Sequence, residues 1–260
     1  MYKRKKIREL IDKCDILYVI SDIQCLEYEK IFRKNCKILT KGADFSNNTP
    51  RYSISRKEIV LNYAGGIAKT RYRSLALISE AVKKLNETGY AFRFDIYTAT
   101  DLTRDMKKRL NVSGTFLHGA VSYYEIKKVQ KEADILIHAE GLDIGSRLEV
   151  HQSFSTKLVD YFELGKCIFA IGTKDMASIK HLMDNGAAIV STNKEEVFKN
   201  LKMIADDPSI AERYGKSAYE CGRQHHEIKD IQKMLIDDIN MIVGKKNYYD
   251  KIYSHTNSKK

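Results

Sequence analysis

Three short segments of this 260-residue chain combine glycines, cations and carboxylates in ways that could handle a phosphorylated ligand. The first is Ala64-Gly65-Gly66-Ile67-Ala68-Lys69-Thr70-Arg71. Its two glycines let a ligand approach the backbone, and cations follow just ahead of a helical pattern, an arrangement suited to phosphate. It fits neither G-x-G-x-x-G nor G-x-x-x-x-G-K-[ST], so neither a dinucleotide fingerprint nor a P-loop ATPase is supported. A glycine turn with solvated cations accounts for the same residues. The second segment, Ala139-Glu140-Gly141-Leu142-Asp143, opens a long polar loop that runs to Gln152, and long loops in compact domains are often functional. Glu140 stands where a carboxylate could meet a sugar hydroxyl; an exposed surface acid is the alternative. His138, two residues earlier, reads as a satisfied core residue. The third segment is Ser153-Phe154-Ser155-Thr156-Lys157, which leads into the helical pattern LVDYFELG. Ser155 or Thr156 can cap that helix. Its free N–H groups and positive dipole end then favour an anion, to which Lys157 adds charge. Asp160, one turn further on, is within reach of a ribose diol. Capping alone would also explain Ser155 and Thr156.

These segments matter because of the elements they leave. From residue 58 the chain alternates short β-rich runs (58–63, 92–98, 115–118, 134–138, 167–171 and 187–190) with helical patterns (73–86, 102–110, 123–131, 156–164 and 176–183). Leu75, Ile78, Val82 and Leu85 recur at helical spacing, for example. Six strands alternating with helices predict parallel βαβ units and a doubly wound α/β sheet. In such a sheet ligands bind beyond the carboxyl ends of the strands, where all three segments fall. Three further helices, near 194–206, 209–222 and 227–243, close the pattern, and a polar, basic tail follows at 245–260. Residues 1–50 read as a separate βαβ fragment, with strands at 15–20 and 36–40 and a helix at 24–32. The polar stretch 51–57 reads as a linker. A fragment this small cannot bury both faces of its own sheet, so something outside it should cover it.

The segments ADILIHAEGLD (133–143) and FSTKLVDYFELGK (154–166) resemble the C-terminal, donor-binding domain of GT-B glycosyltransferases. They look most like the retaining family that builds bacterial capsular and surface polysaccharides. YAGGIAKTRYRSLALISEA (63–81) is similar to that domain's opening strand, glycine loop and helix, and residues 16–45 to the last βαβ unit of the N-terminal, acceptor domain. The resemblance spans roughly 58–243. It implies a Rossmann-like domain at 58–244 and a remnant of the acceptor domain at 1–50. It also implies transfer of a sugar from a nucleotide diphosphate sugar to a glycan or lipid-linked acceptor. Gly65, Gly66 and Arg71 would line the donor diphosphate, Ser155, Thr156 and Lys157 would hold it at a helix start, and Asp160 would take the ribose. Many members carry a glutamate eight residues before that aspartate; here Gln152 stands there, and Glu140 is the candidate sugar-contacting acid. The missing part of the acceptor domain implies a partner chain or a truncated product. A non-catalytic nucleotide-sugar-binding module and a sugar-nucleotide epimerase of similar architecture are the rival readings.

Composition bounds the rest. The net charge of +11 is concentrated at the ends: +6 over residues 1–60 and +4 over 245–260, against +1 over 61–244. Basic ends of this kind suit an anionic membrane surface or a partner chain better than nucleic acid, and simple solvated ends account for them as well. No apolar run approaches the ~20 residues of a membrane span, and no apolar stretch follows the basic N-terminus to make a secretory signal. The five cysteines, Cys14, Cys25, Cys36, Cys167 and Cys221, are scattered and make no close metal-type pair, which predicts reduced thiols, a cytoplasmic setting and no metal. No cofactor is expected, and the absence of an Asp-x-Asp element in the loops fits metal-independent transfer.

Overall fold

The computed structural model describes residues 2–46, 50, 54 and 57–257, with side chains described for 5–46, 50, 54 and 57–244. The described chain opens with α1 (Tyr2–Lys13), β1 (Leu17–Val19), α2 (Asp22–Phe32) and β2 (Cys36–Ile38). The main sheet follows as β3 (Ile59–Ala64), α3 (Arg71–Glu87), β4 (Phe92–Tyr97), α4 (Arg104–Leu110), β5 (Thr115–His118), α5 (Tyr123–Glu132) and β6 (Ile135–Ala139). It continues through α6 (Ile144–Val150), α7 (Lys157–Leu164), β7 (Cys167–Ile171), α8 (Ala177–Asp184) and β8 (Ile189–Ser191). Helices α9 (Lys194–Asp206), α10 (Ser209–His225) and α11 (Ile228–Asn257) complete it.

The six strands β3 to β8 pair in parallel in the order β5-β4-β3-β6-β7-β8, as the alternating pattern predicts. The chain winds outward from β3 to β5 and then crosses back to lay β6 on the other side of β3. That reversal opens a crevice beyond the carboxyl ends of β3 and β6, the place where doubly wound sheets bind ligands. Alternate residues of each strand serve opposite faces. Ile135, Ile137, Phe169 and Ile171 pack with Leu75, Ile78 and Val82 of α3 and Val197 and Leu201 of α9. Leu136, Ile168 and Ala170 pack instead with Leu158 and Phe162 of α7 and Leu182 of α8. Both faces are covered, which is why β6 and β7 read as continuous apolar runs.

Strands β1 and β2 form their own two-stranded parallel sheet, with α2 as the crossover. The chain itself supplies part of the cover that the sequence demands. Tyr18 Oη donates to Asp238 Oδ2 of α11 at 2.7 Å, and Lys37 pairs with the same carboxylate. The Ala43 N–H donates to the His226 carbonyl and the Ile228 N–H to the Ala43 carbonyl, both at 2.9 Å. Phe45 is buried against Tyr219, whose hydroxyl donates to the Phe45 carbonyl at 2.6 Å. Cover is incomplete: Leu10, Leu26, Ile236 and Ile239 remain more than half exposed.

The basic N-terminus forms α1. Two local expectations are corrected. The stretch from Ala139 to Gln152, read as an extended polar loop, contains α6, whose N-cap Asp143 accepts the Ser146 N–H. The tail from 245 does not leave the helix: α11 continues to Asn257, because neither Pro nor Gly follows Gly244 and polarity alone does not end a helix. The linker reading of 51–57 lies largely outside the described residues.

Candidate donor site at the crevice between β3 and β6

The sequence after β3 builds one wall of the crevice. Gly65 adopts φ +150°, a backbone conformation that favours glycine, and a Cβ on it would lie 2.6 Å from Lys157 Nζ, so a side chain there would have to push the lysine aside. Its N–H donates to the Tyr97 carbonyl at 2.9 Å, and the Ile67 N–H donates to Thr100 Oγ1 at 3.1 Å. Tyr63 Oη donates to the Gly66 carbonyl at 2.7 Å. The loop is therefore fixed in shape before any ligand arrives. Thr70, at its end, bonds Asp143 and Ser146 at the start of α6, which ties it to the opposite wall.

That opposite wall leaves β6. Ser74 Oγ donates to the Glu140 carbonyl at 2.6 Å, and Gly141 has no room for a side chain, since an added Cβ would lie 2.2 Å from Thr70 Oγ1. This packing turns the Glu140 side chain into the crevice, where its Oε2 accepts from Arg71 Nη2 at 2.6 Å. Arg71 Nη1 also donates to the Gly66 carbonyl at 3.1 Å. Burial works against the Arg71 charge, but Glu140 and Tyr63 outweigh it and hold its pKa above the ordinary value. Lys157, the first residue of α7, donates to the Ala64 carbonyl at 3.1 Å and stands 4.7 Å from the centre of the Tyr63 ring. Burial, and next the nearby Arg71 charge, lower its pKa to about 8. Gly65, Gly66, Arg71, Glu140 and Lys157 thus converge, although they come from three distant segments.

Two depressions flank the glycine loop. One, of about 420 Å³, is lined by Gly65, Gly66, Tyr97, Thr100, Val121 and Ile126. The other, of about 200 Å³, is lined by Thr70, Arg71, Glu140, Gly141 and Ser146 among others. Such an arrangement offers two cations and a carboxylate around exposed backbone, enough to hold an anion beside a hydroxylated group.

The remaining predicted residues lie differently. Neither Ser155 nor Thr156 caps α7 through its side chain: Thr156 sits at the N-cap in helical geometry and makes no capping bond. The Ser155 N–H, expected to face an anion, donates to Ser178 Oγ at 2.8 Å. Asp160 accepts from Lys41 Nζ at 2.5 Å and, with Lys127 and Lys131, lines a third depression of about 380 Å³. Consecutive residues of α5 link it to the glycine-loop depression, since Ile126 faces one and Lys127 the other. Gln152 is anchored to the N-terminal segment, its amide donating to Glu27 and its carbonyl accepting from Ser21 Oγ at 2.8 Å.

His138 corrects the sequence reading. It is fully buried, but its Nε2 has no hydrogen-bond partner and stands 3.7 Å from Glu140 Oε1. Burial pushes its pKa down to about 4, so it is a neutral imidazole behind the carboxylate. Sequence reasoning also misses Tyr63, which braces Gly66 and lies under Lys157, and Thr100 and Lys41, whose partners lie far along the chain. The five cysteines are free, as expected, but Cys25 and Cys36, scattered in sequence, come together with Glu29 in the N-terminal segment.

Solved structures of GT-B glycosyltransferases share this doubly wound fold. TarM of Staphylococcus aureus, in a complex with fondaparinux, α-GlcNAc-glycerol and UDP, superposes with a TM-score of 0.70 at 15% identity, over 92% of this chain and 47% of its own. A glycosyltransferase from Rickettsia africae gives 0.69 at 12% identity, over 92% of this chain and 66% of its own. HepE of Anabaena, in complex with UDP-glucose, gives 0.65 at 12% identity, over 92% and 67%. The chain therefore has the fold of GT-B glycosyltransferases and spans about half to two thirds of the length of these structures. No family model matches the chain, and no curated protein matches it in sequence.

Proposed function

We propose that this chain binds a nucleotide diphosphate sugar in the crevice between β3 and β6 as the donor half of a glycosyltransferase. The observation that carries the reading is the convergence of Arg71, Lys157 and Glu140 on the Gly65-Gly66 backbone at the switch point of the sheet. In the reaction the bond between the anomeric carbon and the diphosphate oxygen breaks, an acceptor hydroxyl oxygen bonds that carbon, and its proton passes to the departing diphosphate or to solvent. Negative charge grows on the departing nucleoside diphosphate. Arg71 and Lys157 stand ready to offset it, in a partly desolvated site where fixed charges act strongly. Glu140 is the group placed to touch the sugar, with His138 behind it. Asp160 takes the ribose at Oδ2 or in competition with Lys41, and Ser155 and Thr156 lend backbone at the start of α7.

The acceptor is a glycan or a lipid-linked saccharide, as in surface polysaccharide assembly. The facing domain that would enclose it comes from a partner chain or from sequence beyond this one, with residues 1–50 as the part present here. Basic ends suit the inner face of a membrane, in the cytoplasm; among the described residues no helix is long and apolar enough to cross one. No nucleic-acid partner, cofactor or metal is proposed for the transfer. Calorimetric titration of the purified chain with UDP, GDP and their sugar conjugates tests the reading. Saturable binding that Arg71→Ala and Lys157→Ala weaken supports it, and no binding of any of them refutes it. Binding without turnover would favour a non-catalytic nucleotide-sugar module.

A further inference from the structure

Away from the crevice, α2 and β2 bring three metal-ligating groups together. Cys25 and Glu29 are four residues apart on α2, so their side chains leave the same helix face. Arg33 ends the helix in the left-handed conformation, φ 56°, and the chain returns at once to Cys36, the first residue of β2. One ligand atom from each of Cys25, Glu29 and Cys36 lies within 4.8 Å of the other two. Cys25 Sγ is 3.6 Å from Glu29 Oε1, which also accepts the Cys36 N–H at 3.1 Å. The carboxylate is thereby aimed at the two sulfurs, and all three residues are half-buried.

We propose that Cys25, Glu29 and Cys36 bind a thiophilic divalent cation, zinc(II), which clamps α2 to β2 at the N-terminal sheet. Two sulfurs and one carboxylate oxygen form a donor set that zinc accepts. Bonds of about 2.3 Å to sulfur and about 2.1 Å to oxygen place tetrahedral ligands roughly 3.5–3.8 Å apart. The observed spacing, at most 4.8 Å, is about 1 Å wider than this. Partial exposure leaves a fourth position for water. Without the ion the thiols stay protonated near neutral pH, since an ordinary cysteine titrates at about 8.5. Binding is therefore an exchange. Two S–H bonds break, two Zn–S bonds form, two protons pass to solvent, and no electrons move. The clamp falls where strands of three residues each hold the segment together, so it stabilises the folded state there by mass action.

The test uses the reduced, metal-stripped chain and cobalt(II) as a coloured probe for zinc. One equivalent of cobalt should bind with a thiolate-to-cobalt charge-transfer band and be displaced by zinc, and zinc addition near pH 7 should release two protons. Cys25→Ser and Cys36→Ser should each weaken binding at least tenfold and diminish the band, Glu29→Gln roughly tenfold, and Cys14→Ser should change nothing. Zinc should also shield Cys25 and Cys36 of the unsubstituted chain from alkylation, read by peptide mass, which does not depend on any variant folding. A colourless titration, a band that survives both serine variants, or alkylation indifferent to zinc overturns the proposal. So does a Cys25–Cys36 disulfide that forms in air in a chain whose reduced form takes no cobalt.

Discussion

Arg71 and Glu140, 69 residues apart, meet at 2.6 Å across the mouth of two adjacent parallel strands. The pair joins the glycine loop to the β6 loop, so each partner constrains what the other can offer a ligand. With side-chain exposures of 30% and 9% it is too buried to be a weak surface bridge. Arg71→Ala should weaken UDP binding by about 1–3 kcal/mol, the scale of a charge-assisted bond. Glu140→Gln removes the anion that competes with phosphate for the same guanidinium. UDP should then bind at least as tightly, while the extra affinity of a nucleotide sugar over bare nucleotide shrinks. Calorimetry with both ligands separates the two roles, and equal losses for both in the Glu140 variant would place that residue in structure alone.

Lys157 gives the site a pH signature. Its pKa is lowered to about 8, so its charge is lost as pH rises through that value. Nucleotide affinity should fall above pH 8 by up to about tenfold per pH unit, the slope for one linked proton, and Lys157→Met should flatten that profile. Stability runs the other way. Between pH 8 and the ordinary lysine pKa of 10.5 the unfolded chain holds more protons than the folded one, so this residue makes folding more favourable as pH rises across that window. A thermal-shift series from pH 7 to 10 on both proteins checks the sign.

Gly65 links the loop to that lysine. Gly65→Ala places a Cβ 2.6 Å from Lys157 Nζ at φ +150°, so either the loop or the lysine must move. The expected cost is about 1–3 kcal/mol of stability from backbone strain, together with weaker nucleotide binding. Denaturant unfolding and a UDP titration on the same sample measure both, and an unchanged protein would show that the loop relaxes freely.

How far the sequence reaches depends on what each residue packs against. The central strands of the main sheet are legible because both faces are buried there, so runs such as CIFAI appear unbroken between turn residues. Helix α6 is not, because Ile144 and Leu148 are both more than 70% exposed and leave no amphipathic stripe; only the Asp143 cap marks it. In the crevice, Gly65, Gly66, Arg71, Glu140 and Lys157 are found from residue type and their place after strands, but the Arg71–Glu140 bond is a product of strand order. Capping by Ser155 and Thr156 fails because Thr156, the residue at the N-cap, takes helical backbone angles and its side chain makes no bond to the helix amides. The missing partner of His138 and the meeting of Cys25 with Cys36 likewise depend on chain return, which residue spacing does not encode.

Asp160 and Lys41 make the ribose assignment testable. Their 2.5 Å bond occupies Oδ1, so a ribose would reach the carboxylate at Oδ2 or in competition with the lysine. Asp160→Asn should weaken UDP more than pyrophosphate, since only UDP carries the diol. Lys41→Ala frees the carboxylate and should leave UDP binding unchanged or tighter. Should both variants weaken UDP and pyrophosphate alike, the pair shapes α7 and does not read the sugar ring.

Asp238 is the joint between the N-terminal sheet and α11. It accepts from Tyr18 Oη at 2.7 Å and pairs with Lys37, and these bonds, Lys37 first, hold its pKa below the ordinary 3.8. A carboxylate lowered on folding contributes stability that is present above its unfolded pKa and lost as pH falls through its folded one. The clamp should therefore hold at neutral pH and release only below about pH 4, while the main sheet, with its own core, stays folded. Asp238→Ala should release it at every pH, because it leaves Tyr18 and Lys37 without an acceptor on α11. Limited proteolysis at pH 7 should then cut within residues 17–40 of the variant much faster than in the parent chain, with 59–225 still resistant. Hydrogen exchange resolves the same contrast peptide by peptide. Equal protection of β1 and β2 in both proteins would mean that the apolar contacts of Phe45 and Ile228 hold the segment without this carboxylate.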